Sequence, residues 1–460
     1  KGWDLHSTKD LAEIETARAP FKDHQWHVGP LVASPDKTKN KPSNTSTPKD
    51  VTNPANPTDI IGTSTGSDLA TVEYALSAAG DWSATPVAQR SAILRKAADL
   101  YESNFGELFA ALTREAGKGQ LDVISELREA VDFLRFYAAE AERLAAPASQ
   151  ARGLIACISP WNFPLAIFTG QLSAALAAGN GVLAKPAEQT SITANVAIKL
   201  LHEAGVPKTV LQLLPGAGSV VGSKLSADSR INGLCFTGST ATAQIINKSM
   251  AQHLDPHAPL IAETGGLNAM IVDSTALPEQ AVGDIVNSAF QSAGQRCSAL
   301  RMLYLQEDTA EIILNMLYGA MDELVIADPW NFDTDIGPVI DHESKNKIMS
   351  HIEIAQSEGR VLKSLAMPEA GSFVPPTVIK VGGIADLAEE IFGPVLHVTT
   401  FAAEDIDSVV GDINAKGYGL TFGLHTRIDD RVESITTRLK VGNVYINRNQ
   451  IGAVVGSQSF

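Results

Sequence analysis

The chain has 460 residues, of which 44% are hydrophobic and 19% are charged, so it is long enough for two or three domains with large cores. Its 52 Asp and Glu residues exceed its 36 Lys and Arg residues, and the net charge of −16 argues against binding to nucleic acid or to an anionic membrane. Three cysteines cannot cross-link a chain of this length, which favours a reducing, cytoplasmic compartment.

The first segment is predicted to connect this chain to a preceding unit. Residues 34–58 contain five prolines among Ser, Thr, Asn and Lys, and such a composition buries too little apolar surface to order itself. Residues 1–33 are then expected to be an arm, or the tail of that preceding unit. We therefore assign residues 1–48 to a connector.

Helices are predicted after the connector. Asp68 precedes an apolar-periodic helix that ends near residue 79. Thr85 and Pro86 suit the N-cap and the first position of a helix that continues to Glu102. Residues 120–146 are expected to form a long amphipathic helix, because apolar side chains recur on one stripe.

Residues 153–184 contain no charged residue and no histidine, and a stretch of this kind raises the question of a membrane span. Pro160, Asn162 and Pro164 interrupt it, and they would break a helix or leave polar groups in lipid. A buried strand, loop and helix is the better interpretation.

Short apolar strands then alternate with helices, which is typical of a parallel sheet covered on both faces. The first alternation predicts strands at 153–158, 181–184, 210–213 and 231–236, and helices at 165–178, 190–204, 219–225 and 239–250. The second predicts strands at 269–272 and 302–305, and helices at 278–292 and 309–324. The fold class is therefore α/β, with one domain for a nucleotide and a second domain for a substrate.

Two turns between a strand and a helix are candidates for binding phosphate. Residues 215–222 are rich in glycine, although their spacing is not that of the dinucleotide-binding fingerprint. Phe236-Thr237-Gly238-Ser239 forms a second turn, whose backbone N–H groups would face a pyrophosphate at the start of a helix. Two such turns in neighbouring units favour a dinucleotide site over turns without a ligand.

Lys185 and Glu188 follow a predicted strand, at the sheet edge where open α/β folds bind ligands. Lys185 would donate to ribose hydroxyls, and Glu188 would accept from the 2′-hydroxyl. Because a carboxylate repels a 2′-phosphate, the pattern favours NAD over NADP. The alternative is an ordinary surface ion pair.

One of the cysteines is a candidate nucleophile. Cys157 and Cys235 lie in apolar strands and are expected to be inert buried thiols. Cys297 lies in a small polar turn beside Arg296, and a thiolate requires a cationic or dipolar environment of this kind. A structural buried cysteine is the alternative for Cys297.

Two glutamates are candidates for chemistry. Glu263 lies between apolar residues and glycines, where poor solvation would raise its pKa towards the range of a general base. An ordinary loop carboxylate is the alternative. Glu390 belongs to an acidic pair that meets a tight turn. The ten histidines show no ligand spacing, so no metal site is expected.

Together, six blocks in this order resemble the aldehyde dehydrogenase superfamily, from about Asn53 to Phe460. The blocks are 159–164 (SPWNFP), 185–188 (KPAE), 236–239 (FTGS), 263–266 (ETGG), 294–297 (GQRC) and 390–394 (EIFGP). Within the superfamily, the chain resembles the L-glutamate γ-semialdehyde (1-pyrroline-5-carboxylate) dehydrogenase modules of the bifunctional bacterial proline-utilisation A family. This closer likeness lies in 159–171, 260–274, 292–300 and 447–456.

The resemblance implies the aldehyde dehydrogenase fold, with a Rossmann-like NAD-binding domain, an α/β catalytic domain and a small oligomerisation element. It places the NAD-binding domain at 49–262, with 430–442 returning to it, the catalytic domain at 263–429, and an aldehyde-anchor loop at 443–460. It also implies a flavin-dependent proline dehydrogenase domain upstream, where alone FAD is expected, and a bacterial cytoplasmic homodimer in the intact protein. The family pattern continues beyond Phe460, so the C-terminus is expected to be truncated.

The resemblance also implies a mechanism in which NAD oxidises an aldehyde. Cys297 attacks the aldehyde, the Cys297 N–H and the Asn162 amide stabilise the oxyanion, hydride passes to NAD, and Glu263 activates the water that hydrolyses the thioester to L-glutamate. The implied cofactor-binding residues are Ile158, Ser159, Pro160, Trp161, Lys185, Glu188, Gly218, Phe236, Thr237, Gly238, Ser239, Glu390 and Phe392. The implied substrate-binding residues are Phe163, Arg296, Ser298, Gly452, Ala453 and Phe460.

Gly452 and Ala453 follow a predicted strand at 444–447 and are small, so their N–H groups can form an anion-binding nest for the substrate carboxylate. Three alternatives stay open. The chain can act on another aldehyde such as succinate semialdehyde, it can be a cysteine acyltransferase without hydride transfer, or it can be a silent NAD-binding scaffold.

Overall fold

The computed structural model describes residues 2–33, 43–145, 150–417 and 419–458. The chain divides into two units, Lys1–Thr264 and Gly265–Phe460. The division at residue 264 lies close to the predicted domain boundary at residue 262.

The first unit combines a small sheet, a set of helices and a larger parallel sheet. Its strands are β1 (Trp26–Val28), β2 (Lys49–Asn53), β3 (Asn56–Ser64), β4 (Leu154–Ile158), β5 (Gly181–Lys185), β6 (Leu211–Leu213), β7 (Gly233–Gly238) and β8 (Leu260–Thr264). Its helices are α1 (Thr8–Arg18), α2 (Leu69–Ala78), α3 (Val87–Ser103), α4 (Phe105–Ala116), α5 (Gln120–Arg143), α6 (Ala166–Ala177), α7 (Ser191–Ala204), α8 (Ser223–Ser226) and α9 (Thr240–His253).

Strands β4 to β8 form a doubly wound parallel sheet in the order β6-β5-β4-β7-β8. The order reverses between β4 and β7, where Ile158 is the neighbour of Phe236. Open α/β sheets bind ligands in the crevice outside the carboxyl ends of the strands at such a reversal. The predicted Rossmann-like domain is therefore confirmed.

The apolar stretch 153–184 forms β4, α6 and β5, as expected of a buried strand, loop and helix. In the described part of the chain, no helix is both long enough and apolar enough to cross a membrane.

The structure differs from the predicted connector at 1–48. Trp3 packs against Phe105 and Phe109, with ring centroids 4.6 and 5.3 Å away, and the Trp26 indole N–H donates to Glu107 at 3.0 Å. Large aromatic side chains bury enough surface to order this segment onto the first unit. Residues 34–42 lie outside the described residues.

The predicted disorder of residues 49–58 is also contradicted. Strands β2 and β3 pair in an antiparallel hairpin, with Lys49 opposite Ser64. Asn53 stabilises the turn, because its side-chain oxygen accepts the Ala55 N–H at 2.9 Å. Pro54 follows β2, so it removes no ladder hydrogen bond from that strand.

The helix starts show how capping decides the boundaries. Asp68 caps α2 as predicted and accepts the Thr71 N–H at 2.8 Å. The predicted N-cap Thr85 is wrong by one residue, because Pro86 itself is the extended N-cap of α3. The predicted helix at 219–225 is a π-helical turn, Gly218–Gly222, followed by α8.

Glu115 is a buried carboxylate that caps α7. Its oxygens accept the Ile192 N–H at 2.6 Å, and the Thr193 N–H and hydroxyl at 2.8 and 2.7 Å. Burial raises the pKa of Glu115 to about 7, against the opposing effect of these hydrogen bonds.

We expect Glu115→Ala to destabilise the first unit by about 3 kcal/mol, because a buried donor left unsatisfied costs about 1–3 kcal/mol. Urea unfolding followed by circular dichroism measures the loss. The control is Glu203→Ala, which removes an exposed carboxylate from the end of the same helix. Equal stability of the two variants would contradict the capping role.

The second unit is a mixed sheet with helices against it. Its strands are β9 (Asn268–Val272), β10 (Leu300–Gln306), β11 (Val361–Ser364), β12 (Thr377–Lys380), β13 (Val395–Phe401), β14 (Thr421–His425) and β15 (Asn443–Ile446). Its helices are α10 (Pro278–Phe290), α11 (Glu307–Asp322), α12 (His342–Ser357), α13 (Ile406–Lys416) and α14 (Asp429–Thr436). The sheet order is β11-β12-β13-β10-β9-β14-β15, and β11 alone in this sheet runs antiparallel to its neighbour.

Residues 430–442 do not return to the first unit as predicted, because α14 packs on the second. Ile435 is buried in the core of the second unit, and the Arg431 guanidinium is paired with Asp273 at 2.6 Å. The strand predicted at 444–447 is confirmed as β15, which pairs with β14.

Candidate active site

The first unit brings most of the predicted cofactor residues to one edge of its parallel sheet. Ile158 ends β4 opposite Lys185 at the end of β5, and Thr237 lies opposite Glu263 near the ends of β7 and β8. The residues at or just beyond this carboxyl edge are Ile158, Ser159, Pro160, Trp161, Lys185, Glu188, Gly218, Phe236, Thr237, Gly238 and Ser239. The sequence thus predicted their common location correctly.

Gln171, which the sequence analysis did not single out, connects β4 to β7 by side-chain hydrogen bonds at the point where the strand order reverses. The Ser159 hydroxyl donates to the Gln171 side-chain oxygen at 2.7 Å. The Gln171 amide donates in turn to the Thr237 hydroxyl at 3.1 Å. Gln171 lies within α6 and ends the 159–171 likeness, which assigned it no role.

Lys185 and Glu188 lie close to the glycine-rich turn. Lys185 is only 5% exposed, and its ammonium donates to the Pro186 carbonyl at 3.0 Å. Burial lowers the pKa of Lys185, while the charge of Glu188 acts in the opposite direction. The Glu188 carboxylate accepts the Gly218 N–H at 3.1 Å, so this turn lies against the predicted ribose-binding carboxylate.

Ser239 has a structural role at the start of α9. It is the N-cap, and its hydroxyl oxygen accepts the Thr242 N–H at 3.2 Å. The adjacent N–H groups of this helix start are the donors that the sequence assigned to a pyrophosphate, and that assignment stays a prediction.

Asn162 is buried in the turn between β4 and α6. The Phe163 ring beside it lies 4.7 Å from the Lys118 ammonium. Lys118 is paired with Glu126 at 3.0 Å, and Glu126 accepts the Ala166 N–H at the start of α6 at 2.8 Å. A buried ion pair therefore holds the turn that carries Asn162.

Glu263 is the fourth residue of β8. It is half-buried, and burial raises the pKa of its carboxyl group, as the sequence predicted.

The turn before Cys297 has an unusual backbone. Ser292, Ala293 and Gly294 have φ angles of 56°, 52° and 67°. The left-handed conformation costs roughly 1–2 kcal/mol for a residue with a Cβ atom. Gly294 has no such cost, and a Cβ atom there would overlap the Gly393 carbonyl. Strain of this kind is found at functional sites, where the surrounding structure maintains it.

Two amides that the sequence did not single out hold this turn. The Gln295 amide donates to the Ser292 carbonyl at 3.1 Å, and its oxygen accepts the Ile340 N–H at 2.9 Å. The Asn268 amide donates to the carbonyl of Cys297 at 2.7 Å. Gln295 lies in the 294–297 block and Asn268 in the 260–274 likeness, but neither stretch assigned these residues a role.

The three thiols differ in accessibility, and none forms a disulfide. Cys157 is fully buried and Cys297 is half-buried. Cys235 is also half-buried, which corrects the prediction that it is a buried thiol. Cys235 is the direct neighbour of Cys157 across the β4–β7 pair.

The predicted substrate residues of the second unit are close to one another. The Gly452 N–H donates to the Ser298 hydroxyl oxygen at 3.3 Å, and the Tyr445 hydroxyl donates to the Gly452 carbonyl at 2.9 Å. Ala453 follows in the same turn. The buried Arg296 donates to the Ser292 hydroxyl at 3.3 Å. Phe460 lies outside the described residues.

Glu390 and Phe392 lie against a buried arginine. The Arg301 guanidinium donates to Glu390 at 3.1 Å and lies 5.2 Å from the centroid of the Phe392 ring. Burial raises the pKa of Glu390, while Arg301 and the Gly266 N–H act in the opposite direction.

The candidate residues of the two units lie at different ends of their strands. The Cys297 turn precedes β10, the Glu390 segment precedes β13, and Asn268 begins β9. The second unit thus presents its candidate residues at the amino ends of its strands, whereas the first unit uses the carboxyl ends.

These features define the class as a two-unit α/β protein with a candidate nucleophilic thiol that follows a strained turn. Residues 41–460 match the aldehyde dehydrogenase family. The chain therefore belongs to the aldehyde dehydrogenase family, and its fold is the one that the resemblance implied.

Relatives and solved structures place the chain within that family. It is 47% identical to the bifunctional protein PutA of Klebsiella aerogenes, over 100% of this chain but 36% of that protein. It is 36% identical to the 1-pyrroline-5-carboxylate dehydrogenase of Geobacillus sp. (strain WCH70), over 89% of this chain and 83% of that protein.

Two crystal structures of Thermus 1-pyrroline-5-carboxylate dehydrogenase are also similar. A variant of the Thermus thermophilus enzyme matches with a TM-score of 0.93 and 32% identity, over 100% of this chain and 93% of that chain. A structure of the enzyme from Thermus with bound NAD matches with a TM-score of 0.91 and 31% identity, over the same shares of the two chains.

Proposed function

We propose that this chain oxidises L-glutamate γ-semialdehyde to L-glutamate with NAD, through a thioester on Cys297. The observation that carries the proposal is the hydrogen bond from the Gly452 N–H to the hydroxyl oxygen of Ser298. This bond supports the proposal because it joins Gly452, a predicted partner of the substrate carboxylate, to Ser298, the residue that follows the proposed nucleophile. The names of the 1-pyrroline-5-carboxylate dehydrogenase relatives support the same substrate.

Each proposed catalytic residue has one role in the reaction. The Cys297 thiolate attacks the aldehyde carbon, and its own N–H and the Asn162 amide stabilise the oxyanion. NAD, when bound, accepts the hydride. Glu263 then removes a proton from the water that attacks the thioester, so that L-glutamate leaves and the thiolate is restored.

The carboxyl edge of the first sheet suits NAD. The order of its strands reverses at β4 and β7, and Glu188 presents a carboxylate beside the Gly218 turn. A carboxylate at this position favours a free 2′-hydroxyl and disfavours a 2′-phosphate. The Thermus relative solved with NAD supports this choice of cofactor.

The proposal concerns a module of longer relatives. The chain spans 36% of the length of the PutA protein from Klebsiella aerogenes. A flavin-dependent proline dehydrogenase domain in the same polypeptide, a homodimeric assembly and a cytoplasmic location stay predictions.

Substrate choice tests the proposed function. We expect the semialdehyde to be a far better substrate than pentanal, because a site built to bind a polar group rejects an analogue without it by up to about 10⁴–10⁵. Ser298→Ala should lower kcat/KM for the semialdehyde about 10–100-fold, since a hydrogen bond to a charged group contributes about 1.5–3 kcal/mol.

The measurement is NADH absorbance with each aldehyde, and pentanal is the internal control because its use should barely change in Ser298→Ala. If pentanal matches the semialdehyde in the unaltered protein, the carboxylate site does not exist. Transfer of an acyl group from an ester to Cys297, with no NADH formed from either aldehyde, would favour the acyltransferase.

Gly265→Ala tests the role of Glu390. A Cβ atom at Gly265 would overlap the Glu390 carboxylate, which is the movable end of its side chain. We expect the carboxylate to shift and NAD affinity to fall about 10-fold, since each 1.4 kcal/mol changes affinity tenfold. Stability should change little.

Isothermal titration calorimetry with NAD measures the change in affinity. Gly283→Ala in α10 is the control, because nothing lies within 4 Å of the added Cβ atom. Unchanged NAD affinity in Gly265→Ala would remove Glu390 from the cofactor site.

A further inference from the structure

Arg301 is a fully buried arginine in β10, and the proposed mechanism does not use it. Its sequence context, a charge within an apolar strand, gives no indication of a role. The guanidinium makes hydrogen bonds to two separate segments, the turn that carries Cys297 and the segment that carries Glu390.

The bonds to the nucleophile turn are to backbone carbonyls. Arg301 Nη1 donates to the Gly294 carbonyl at 2.7 Å, and Nη2 donates to the Arg296 carbonyl at 3.1 Å. These carbonyls lie on either side of Gln295, directly before Cys297.

Arg301 also makes two hydrogen bonds to the segment that carries Glu390. Nη1 donates to the Gly393 carbonyl at 3.2 Å, and Nη2 donates to the Glu390 carboxylate at 3.1 Å. The four Nη hydrogens thus face four acceptors in a planar arrangement that only a guanidinium can offer.

The bond to Arg296 has a particular consequence. The carbonyl of residue 296 and the N–H of Cys297 belong to one planar peptide group, so they move together. A charged donor on that carbonyl orients the group, and it also polarises the N–H on the opposite side. This N–H is the backbone donor of the proposed oxyanion site.

We propose that Arg301 is a positioning residue that holds the 296–297 peptide group in the orientation that the oxyanion requires. The inference rests on the proposed function only in taking Cys297 as the nucleophile. The same cation keeps Glu390 in place, so one side chain aligns the oxyanion donor and a second carboxylate that is predicted to bind the cofactor.

The test compares two reactions at the same thiol, neither of which needs NAD or a semialdehyde. With p-nitrophenyl acetate, the thiolate attacks the carbonyl carbon, an oxyanion forms, a C–S bond forms, and the C–O bond breaks to release p-nitrophenolate. With iodoacetamide, a C–S bond forms and iodide leaves, and no oxyanion develops.

For Arg301→Lys we expect acylation to be about 100-fold slower, within the range for loss of an oxyanion donor. Alkylation of Cys297, followed by mass spectrometry of its peptide, should stay within about threefold, because the positive charge remains and a thiolate needs only that environment. The control is Arg360→Lys, a matched change at an arginine that is paired with Glu358 outside this cluster. It should alter neither rate.

A second variant covers the case in which Arg301→Lys fails to fold. The double change Arg301→Met with Glu390→Gln removes both buried charges together, so neither is left unpaired. Acylation should fall about tenfold more than alkylation, because loss of the charge weakens the thiolate in both reactions, whereas loss of the bond to the Arg296 carbonyl affects only the reaction that forms an oxyanion.

The outcomes are distinct. Equal loss of both rates, or loss of neither, would overturn the positioning role. A protein that acylates normally from the ester but does not oxidise the semialdehyde rejects the proposed function and leaves the role of Arg301 intact. Persistence of acylation in Cys297→Ala would reject the nucleophile, and the Arg301 inference with it.

Discussion

Cys297→Ala is expected to reduce NADH formation to the background, a loss on the order of 10⁴-fold or more, because the covalent step has no other nucleophile in the proposed mechanism. The half-buried thiol follows a turn of left-handed residues and lies directly beyond carbonyls held by Arg301. Neither of the other two thiols has comparable surroundings.

The matched control is Cys235→Ala, which removes the other half-buried thiol. It should retain activity within a few-fold, since Cys235 lies on a strand of the first unit. Steady-state NADH production with the semialdehyde measures both variants. Activity in Cys297→Ala, or its loss only in Cys235→Ala, would contradict the mechanism.

Glu263→Gln is expected to leave the first half of the reaction intact and to slow the second half by about 10²–10³, within the usual contribution of a general base. Stopped-flow absorbance should show a burst of NADH close to one equivalent, followed by slow turnover. Glu279→Gln, at an exposed carboxylate early in α10, is the control and should behave like the unaltered protein.

The pH dependence gives a second readout for Glu263. Its pKa is raised by burial, and the carboxylate form is the one that accepts a proton from water. The steady-state rate of the unaltered protein should therefore rise with pH through a range above that of an ordinary glutamate. Glu263→Gln should lack this rise, and a burst that disappears in the variant would assign Glu263 to the acylation step instead.

The first sheet and its ligand edge were predictable, because short apolar strands alternate with helices and the polar motifs follow those strands. The carboxyl ends of parallel strands meet at one edge, so Lys185 and the turn at 236–239 were predicted from strand order alone to lie at a ligand-binding edge. Family resemblance then supplied roles that residue chemistry left open.

The second unit was less predictable. Gly452 reaches Ser298 across 154 residues, and no local pattern encodes that contact. The candidate residues of the second unit lie at the amino ends of its strands, whereas those of the first unit lie at the carboxyl ends. Asn268 and Arg301 act through buried hydrogen bonds to backbone carbonyls, which leave no spacing in the sequence.

The prediction for the N-terminal segment went wrong because composition was averaged over it. Proline and small polar residues between residues 34 and 58 concealed the hairpin of β2 and β3. Trp3 and Trp26 contribute little to the average composition of the segment, yet each is buried against the first unit. A few large aromatic anchors outweigh a polar average.

The left-handed turn at Ser292 and Ala293 also affects how the enzyme loses activity over time. Its conformation persists because bonds from neighbouring segments hold it, so weakening those bonds releases the turn before either sheet melts. Catalytic half-life in mild urea should then be shorter than the half-life of the circular dichroism signal. A preparation can look intact by spectroscopy and already be inactive, so titration of reactive Cys297 is the appropriate measure of its quality.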